Sequence, residues 1–373
     1  MAARRTVGDP LIDLTVSNPT SVGLTLANAE TLRSLADPRG AEDHPDPRGL
    51  SHARAAVAHY YTARGTPVDA ERILLTTGTS ESYAHLFRLL GEPGDVVLAP
   101  TPGYPLIEPI ARLEGLEVVH YRLAWDGAWH LDLASLDAAL EAAGTRARAV
   151  VVIEPNHPTG TCLAHDEREA LESRLEARGL ALISDEVFAD FPWPPRREVF
   201  AGWLGARRVP TFVLGGLSKC CGLPQLKLGW IALAGPEAMT EALIQRLEWI
   251  ADLFLTVGAP VQHAAASWLE VRGAYQARVL ERVAANRRAL GAFVRERPEV
   301  ASLGGEGGWS TVLRLPAAAV NDWALVLLER DVIVHPGHFY DLEQDGAIVV
   351  SLIPEPEPFT KGLRRISEVL GAI

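Results

Sequence analysis

The segment that decides the fold is a short apolar run that ends in a lysine, Thr211-Phe212-Val213-Leu214-Gly215-Gly216-Leu217-Ser218-Lys219. Its apolar half predicts a strand buried on both faces, and its glycines predict a turn that presents Ser218 and Lys219 beyond the strand. Burial disfavours an ammonium ion, so it would lower the pKa of Lys219 and make the neutral, nucleophilic amine accessible. A solvated lysine at a strand end would give the same local pattern, and the rest of the chain decides between the two.

Similar apolar runs recur before this segment, and amphipathic stretches separate them. The predicted strands cover residues 72–76, 95–99, 117–123, 148–154, 180–184 and 211–214. The predicted helices cover residues 50–61, 80–90, 106–113, 133–142, 166–177 and, after the last strand, 264–296. Near-continuous apolar strands that alternate with helices indicate an α/β fold with a three-layer αβα domain and a mainly parallel sheet. Ligands of such sheets bind beyond the carboxyl ends of the strands.

The length of 373 residues suits a large domain with a smaller one attached. We predict an irregular N-terminal arm over residues 1–45, a large domain over residues 46–275 and a small C-terminal α+β domain over residues 276–373. The boundary between the two domains falls within the long predicted helix.

Composition and charge exclude several classes of partner. A net charge of −12 and a pI near 5.4 argue against binding to nucleic acid or to an anionic membrane, because both need a basic surface. No apolar stretch is long enough to span a bilayer, and no signal-peptide pattern follows Met1. The three cysteines, Cys162, Cys220 and Cys221, lack zinc-ligand spacing. We therefore predict a cytoplasmic protein without a metal site.

Residues able to do chemistry follow the predicted strands at one edge of the sheet. Thr77-Gly78-Thr79-Ser80 opens a helix, where free N–H groups and hydroxyls would hold a phosphate or simply cap the helix. Asp185 could keep a heteroaromatic nitrogen protonated, or serve only as a cap. Tyr104, on a proline-rich loop, could stack on a flat ligand or pack in the core. Together with Lys219, this set fits a phosphorylated pyridine aldehyde, pyridoxal 5′-phosphate (PLP).

Three motifs make the sequence similar to the class I/II aminotransferases, which are PLP-dependent enzymes of fold type I. They are Pro155-Asn156-His157-Pro158-Thr159-Gly160, Ser184-Asp185-Glu186-Val187-Phe188-Ala189-Asp190, and Ser218-Lys219 followed by Lys227-Leu228-Gly229-Trp230. Their order and spacing agree with the family from Asn18-Pro19 through Pro336-Gly337. The resemblance implies an aminotransferase that moves an amino group between an amino compound and an oxo acid. It also implies a homodimer with active sites near the subunit interface.

The resemblance further implies a role for each matching residue. Lys219 would bond the cofactor and later move protons, and Asp185 would pair with the pyridine nitrogen. The other implied cofactor contacts are Tyr104 stacked on the ring, His157 and Phe188 beside the ring oxygen, and Gly78, Thr79, Ser80, Ser218 and Lys227 around the phosphate. Lys227 takes the place of the arginine that is more usual in the family. Asn18 is the implied substrate contact.

The chain departs from the family pattern beside the cofactor ring. His157 stands where the family usually has an asparagine, and Phe188 stands where it usually has a tyrosine. Both usual residues hydrogen-bond the cofactor's ring oxygen. Their replacement should therefore change the pKa of the imine nitrogen that would join the cofactor to Lys219. The segment 43–50 also lacks the tyrosine that many relatives extend across a dimer interface to the phosphate.

The largest departure lies near the C-terminus. Relatives usually have an arginine shortly after a Pro-Gly turn, and this arginine makes a bidentate ion pair with the α-carboxylate of the substrate. Here the turn is Pro336-Gly337-His338-Phe339-Tyr340, and the corresponding position is Ser351, which cannot make a bidentate ion pair. Either another arginine supplies the charge, with Arg314 as a candidate, or the substrate lacks a conventional α-carboxylate. We therefore expect weak activity with ordinary α-amino acids.

Two alternatives stay open at this level. A β-eliminating lyase, a decarboxylase or a racemase would use the same PLP scaffold, and the sequence does not decide which substrate bond is broken. A non-catalytic module that senses PLP or an amine would share these motifs as well, and the changed residues His157 and Phe188 are compatible with it.

Overall fold

The computed structural model describes residues 11–194, 202–317, 322–342 and 346–372. The strands are β1 (Ile12–Asp13), β2 (Ile73–Thr76), β3 (Val96–Thr101), β4 (Glu117–Trp125), β5 (Trp129–Leu131), β6 (Ala147–Ile153), β7 (Ala181–Asp185), β8 (Thr211–Gly216), β9 (Gly229–Ala234), β10 (Ala301–Leu303), β11 (Ser310–Arg314), β12 (Val332–Ile333), β13 (His335–Pro336) and β14 (Ala347–Ser351). The helices are α1 (Ala29–Leu32), α2 (Ser51–Ala63), α3 (Thr79–Leu90), α4 (Ile107–Leu113), α5 (Leu133–Ala143), α6 (His165–Arg178), α7 (Leu217–Cys220), α8 (Glu237–Asp252), α9 (Ala259–Glu296), α10 (Trp323–Glu329) and α11 (Pro356–Leu370).

The largest sheet has eight strands in the order β2-β9-β8-β7-β6-β3-β4-β5. Strands β4, β3, β6, β7 and β8 run parallel to one another, whereas β5 and β9 are antiparallel to their neighbours. Successive side chains point to opposite faces, so Leu182 and Val213 lie in one apolar core and Ile183 and Phe212 in another. Helices α2, α5 and α6 cover the first face, and α3, α4 and α8 cover the second. The predicted three-layer α/β arrangement with a mainly parallel sheet is confirmed.

The smaller part of the molecule is built on an antiparallel sheet in the order β10-β11-β14-β13. Helix α11 packs its amphipathic apolar face on this sheet's core, which includes Phe359 and Ile366. The N-terminal arm joins this core because Ile12 and Leu14 are buried in it, and β1 pairs in parallel with β12. The arm is therefore not irregular throughout, contrary to the expectation for residues 1–45, of which residues 1–10 lie outside the described ranges.

Helix α9 is 38 residues long and connects the two parts. Its N-terminal half buries Trp268 and Leu269 in the core of the large sheet. Its C-terminal half buries Leu290 and Phe293 in the core of the small sheet. The predicted boundary at residue 275 falls between these two halves and stays a prediction. No helix within the described ranges is both long and apolar enough to cross a membrane.

The strand register brings distant segments together at one rim of the large sheet. Gly229, the first residue of β9, lies opposite Gly216 at the end of β8 and opposite Thr76 at the end of β2. A Cβ atom on Gly229 would lie 2.8 Å from the Cα atom of Gly78, so only glycine permits this approach. The turn after β2, the lysine turn after β8 and the segment before β9 therefore meet at one place.

Candidate active site

A cavity of about 220 Å³ opens at this rim, beyond the carboxyl ends of the parallel strands. It is lined by Ser17, Gly78, Thr79, Tyr104, Ile153, His157, Asp185, Val187, Phe188, Gly216, Ser218, Lys219, Trp309 and Ser310. Most of the residues singled out in the sequence are in this lining, although they come from five separate segments of the chain. The rim is the position at which α/β sheets bind their ligands.

Lys219 lies in the short helix α7, directly after the end of β8. Burial lowers the pKa of its ammonium group, and the nearby carboxylate of Asp185 acts in the opposite direction. Its Nζ atom is 5.1 Å from the centre of the Trp309 ring and 5.5 Å from that of Phe188. The amine therefore sits among aromatic faces on the cavity wall, where the neutral form needed for nucleophilic attack is accessible.

Asp185 is the last residue of β7 and is buried. The hydroxyl of Tyr83 donates to its Oδ2 atom at 3.1 Å, and the Val187 amide donates to its Oδ1 atom at 3.2 Å. Burial raises the pKa of Asp185 to about 6, while the two hydrogen bonds and Lys219 lower it. A buried carboxylate of this kind suits a cationic hydrogen-bond donor in the cavity.

The start of helix α3 contributes Gly78 and Thr79 to the cavity lining. The carboxylate of Glu81 accepts a hydrogen bond from the Thr77 amide at 2.6 Å. Within the described part of the chain, the amides of Gly78, Thr79 and Ser80 have no acceptor, so they remain open to an anion. Ser80 itself is exposed and outside the lining, and its hydroxyl acts to lower the pKa of the Tyr104 phenol. Burial raises the pKa of that phenol, and Asp185 raises it further.

The backbone of Lys227 lies close to the start of α3. It adopts a left-handed conformation with φ of 50° and comes two residues before Gly229, which packs against Gly78. Its side chain is exposed and is not among the cavity-lining residues. Its predicted contact with a phosphate therefore stays a prediction.

His157 and Phe188 form one wall, with ring centres 6.0 Å apart. The ring of His157 also meets Tyr340 edge-on at 5.2 Å, and Tyr340 hydrogen-bonds His335. Burial lowers the pKa of His157 to about 3, helped by Lys219 and His335. The imidazole is therefore neutral at physiological pH, so it can offer a ring N–H without adding charge.

Three residues considered for the substrate do not line the cavity. Asn18 is exposed, and its side-chain oxygen accepts from the amide and hydroxyl of Thr20. Arg314 is exposed at the end of β11, about 13 Å along the strand from the lining residue Ser310. Ser351 is buried directly opposite Ser310 in β14. Neither Asn18 nor Arg314 is therefore retained in the proposed site.

The sequence reasoning missed Ser17, Trp309 and Ser310. Trp309 follows the segment Gly304-Gly305-Glu306-Gly307-Gly308, and such a glycine cluster is the signal that could have marked the position. The amide of Glu306 donates to Gly160 O at 2.7 Å, and the amide of Gly308 donates to Phe191 O at 2.8 Å. These bonds fasten the small-sheet loop to the large-sheet rim and bring Trp309 into the cavity.

Comparison with known proteins identifies the family. The family model for aminotransferase class I and II matches residues 9–357. The chain belongs to the class I and II aminotransferases. Glutamate-pyruvate aminotransferase AlaA of Haemophilus influenzae is 27% identical over 270 residues, which make up 72% of this chain and 65% of that relative. The Escherichia coli K12 enzyme of the same name is 28% identical over the same fraction, so the chain spans just under two thirds of these aminotransferases' length.

The fold is also that of solved aminotransferases. Alanine aminotransferase from Pyrococcus furiosus matches with a TM-score of 0.89 over 100% of this chain and 94% of that chain, at 20% sequence identity. At this identity the likeness establishes the fold alone. It confirms the predicted α/β fold, in which a large, mainly parallel sheet is joined to a smaller C-terminal α+β part.

Enzymes of this aminotransferase family depend on PLP, and the donor set of the cavity fits that cofactor. Asp185 offers a buried carboxylate for a protonated ring nitrogen, and burial raises its pKa although Lys219 acts in the opposite direction. Gly78 and Thr79 offer open amides at a helix start for a phosphate. Lys219 offers an amine in the same cavity lining for a carbonyl carbon. The three groups have the chemistry of the three functional ends of PLP.

Proposed function

We propose that the chain is a PLP-dependent aminotransferase, an enzyme that moves an amino group between an amino compound and an oxo acid. The observation that supports this most strongly is the presence of Lys219, Asp185 and the start of α3 around one cavity. Family membership supports the same reaction class. When bound, PLP would supply an electron sink for the substrate carbon that bears the amine.

The residues of the chain would bind the cofactor and transfer the proton. Asp185 would keep the ring nitrogen protonated, because an ion pair relieves the cost of its buried negative charge. Thr79 and Ser218 would hold the phosphate with hydroxyls and amides. Tyr104 would support one face of the ring. Lys219 would hold the cofactor covalently and, once released, its neutral Nζ atom would carry the proton to and from the substrate carbon.

Further parts of the proposal concern the oligomeric state, the cellular location and the reaction partners. We propose a homodimer, on the family resemblance and on the exposed apolar residues at the end of α8. We propose action in the cytoplasm, because Cys162, Cys220 and Cys221 show neither a disulfide framework nor zinc-ligand spacing. The partners would be a small amino donor and an oxo acceptor.

The covalent role of Lys219 can be tested by chemical trapping. The protein is loaded with PLP, reduced with borohydride and digested, and the modified peptide is sequenced. The label is expected on Lys219, because its amine is the one in the cavity lining. Lys219→Ala should abolish amino transfer while keeping some non-covalent PLP through Asp185 and the start of α3.

Lys227→Ala is the matched control for this trapping, since Lys227 is the nearest other lysine in sequence and is exposed. It should retain the label on Lys219. A label on Lys227, or on no lysine, would contradict the proposed mechanism. Conversion of the bound cofactor to its amine form on adding an amino donor, followed by recovery with an oxo acid, would separate amino transfer from elimination, decarboxylation and racemisation.

A further inference from the structure

A side chain of the long helix α9 connects the helix that carries Lys219 to the segment that follows β7. The Nε2 atom of Gln276 donates to the carbonyl oxygen of Cys220 at 3.1 Å and to the Oδ2 atom of Asp190 at 3.0 Å. Cys220 comes directly after Lys219 in α7. Asp190 follows five residues after Asp185, the last residue of β7. One amide group therefore bridges the two segments that carry the proposed cofactor contacts Lys219 and Asp185.

The Asp190 end of this bridge is held by α2. The hydroxyl of Tyr60 donates to the same Oδ2 atom at 3.0 Å, and the guanidinium of Arg64 lies 3.7 Å from the Oδ1 atom. Arg64 also donates to the Tyr60 hydroxyl at 2.8 Å. Burial raises the pKa of Tyr60, and Asp190 raises it further, so the hydroxyl stays protonated and remains a donor. Asp190 is thus held in place by two side chains besides Gln276.

The Cys220 end of the bridge belongs to a helix that rests on α9. Helix α7 has four residues, and a helix this short gains its stability from contacts with other elements. A Cβ atom on Gly222, just beyond α7, would lie 2.5 Å from the ring of Tyr275 in α9. The Sγ atom of Cys221 donates to Trp268 O in the same helix at 3.7 Å. The placement of Lys219 therefore depends on how α7 packs against α9.

The bridge lies where α9 passes from one core to the other. Leu269 is buried in the core of the large sheet, and Tyr275 is buried in the core of the small sheet. Gln276 is half-buried beside Tyr275, and its amide nitrogen carries two hydrogens, one for each acceptor. A side chain that is fixed at both acceptors limits the movement of α7 relative to β7 before a ligand binds.

We propose that Gln276 is a positioning residue, which holds Lys219 at the correct distance from Asp185. This inference rests on the proposed function, in which Lys219 bonds the carbonyl carbon of PLP and Asp185 pairs with the ring nitrogen. Both contacts are made to one rigid ring, so a displacement of α7 relative to β7 weakens binding. Gln276 is not among the cavity-lining residues, and it acts through Lys219.

A double-mutant cycle on PLP binding tests the proposal. Gln276→Met keeps the length of the side chain and loses both N–H donors. With Lys219 present, it should raise the dissociation constant for PLP about three- to tenfold, the loss expected for about one hydrogen bond. In the Lys219→Ala background the change should stay below about twofold, because no covalent bond to PLP remains to be positioned. Equilibrium titrations followed by cofactor absorbance measure the four constants.

Hydrogen exchange in the PLP-free protein provides a second measurement that needs no cofactor. The amides of Cys221 and Leu223 donate to Leu217 O at 3.2 and 3.1 Å, so they report on the order of the lysine helix. They should exchange about threefold faster or more in Gln276→Met than in the wild type. The amides of strand β7 should exchange at the wild-type rate.

Gln262→Met is the matched control, because Gln262 is a glutamine of the same helix whose amide donates to Val257 O at 2.7 Å, outside the cavity lining. It should lower the unfolding temperature without changing PLP affinity or exchange in α7. If Gln276→Met does not fold, Gln276→Asn replaces it, since asparagine keeps the amide but is one methylene shorter. Equal weakening of PLP binding in both backgrounds, or unchanged affinity with Lys219 present, would overturn the proposal.

The same experiments separate this inference from the proposed function. If borohydride traps no PLP on Lys219 of the wild-type protein, the proposed function is wrong. The exchange of the α7 amides in the PLP-free protein still decides whether Gln276 holds the lysine helix, because that measurement involves neither cofactor nor turnover. If trapping succeeds and Gln276→Met behaves like the wild type in both measurements, the positioning role alone is wrong.

Discussion

At the scale of single residues, the carboxyl of Asp185 shows a conflict between stability and the proposed function. Its pKa of about 6 lies above its ordinary value of 3.8 because the side chain is buried. A raised folded-state pKa stabilises the protein below pH 4, and this contribution is lost as the pH rises through about 6. Glu186 acts in the same direction, since burial raises its pKa to about 7. A cation bound in the cavity would offset this loss.

Asp185→Asn should therefore stabilise the PLP-free protein at pH 8 and not at pH 4. The gain at pH 8 is expected to reach up to ~3 kcal/mol, since the pKa rises from 3.8 to about 6 and one pKa unit corresponds to ~1.4 kcal/mol. Urea unfolding at the two pH values measures it. Asp126→Asn, at an exposed side chain, serves as the control and should change neither value. Equal stability of Asp185→Asn and wild type at pH 8 would contradict the prediction.

The same substitution should also weaken PLP binding, because asparagine cannot pair ionically with a protonated ring nitrogen. Stability and function at residue 185 are thus expected to change in opposite directions. Equilibrium titration with PLP, on the same protein preparations, measures the second effect.

Ser351 sets the expected substrate preference at the residue scale. It is buried opposite Ser310, which lines the cavity, so an arginine introduced there can reach the substrate side. Ser351→Arg should raise the rate at which α-amino carboxylates convert the bound cofactor to its amine form by tenfold or more. The reason is that a charge-assisted contact of ~1.5–3 kcal/mol is added. Stopped-flow absorbance with alanine and aspartate measures the change.

Ser351→Lys is a useful comparison for this substitution, since it adds a positive charge without the planar guanidinium group that binds both carboxylate oxygens. Its effect should be smaller than that of arginine. Efficient wild-type reaction with a simple α-amino acid would show that the inference from the missing arginine is wrong.

At the scale of elements, the loop that carries Trp309 depends on glycines for its close approach to the rim. A Cβ atom on Gly305 would lie 2.3 Å from Thr159 O, which is far inside van der Waals contact. Gly304→Ala is a matched control one residue away, because its nearest neighbour, the Ser302 Oγ atom, would be 3.9 Å from the new Cβ.

Gly305→Ala should lower the free energy of unfolding by at least ~2 kcal/mol and displace Trp309 from the cavity, because backbone atoms must move to make room. Gly304→Ala should stay within ~1 kcal/mol of wild type, the cost of an ordinary glycine replacement. Urea unfolding and the dissociation constant for PLP measure both effects. Similar behaviour of the two variants would show that the loop tolerates movement.

The elements also show what a sequence can and cannot predict here. The strands buried on both faces were predicted within about two residues, because such burial requires an uninterrupted apolar run. Strand β9 was not predicted, although Lys227-Leu228-Gly229-Trp230 was recognised as a motif. Its insertion between β2 and β8 pairs segments far apart in the sequence, and apolar patterning alone does not encode that order. Strand β1 was not predicted, because a strand of two residues is too short to show a periodic pattern.

The residues of the candidate site also fall into those that the sequence predicted and those that it did not. Lys219 and Asp185 could be found because they end strands that point to one rim. Trp309 was missed, since the glycine cluster before it was its one signal in the sequence and its place in the cavity depends on hydrogen bonds between a small-sheet loop and Gly160 and Phe191. Arg314 was considered because of its charge alone, and the strand register places it at the far end from Ser310.

At the scale of the whole molecule, the long helix α9 ties the two sheet systems together. Its halves are buried in different cores, so the helix cannot shift without disturbing both. The cavity lies between residues of the large sheet and Trp309 and Ser310 of the small one. The proposed site therefore requires both parts in their observed arrangement, which a 20% identical aminotransferase also has at a TM-score of 0.89.

The end of helix α8 is the surface at which we expect the homodimer to form. Trp249 and Leu253 are one helical turn apart and are 78% and 79% exposed, and Phe254 follows at 50%. Large exposed apolar groups in a cluster typically mark a protein interface. A second cavity of about 240 Å³ adjoins them, lined by residues 43–47 together with Leu255 and Thr256. A second copy of the chain that covers this surface would remove the cluster from water.

Trp249→Glu combined with Leu253→Glu should therefore raise the dimer dissociation constant at least tenfold, because each charge would be buried in an apolar contact. Sedimentation velocity across a hundredfold range of concentration measures the constant, and the unfolding temperature checks that the variant is folded. Leu113→Glu is the control, since Leu113 is 83% exposed on α4. It should sediment like the wild type. A wild-type protein that stays monomeric and fully active at every concentration would rule out the dimer, and an unchanged dimer in the double variant would place its interface elsewhere.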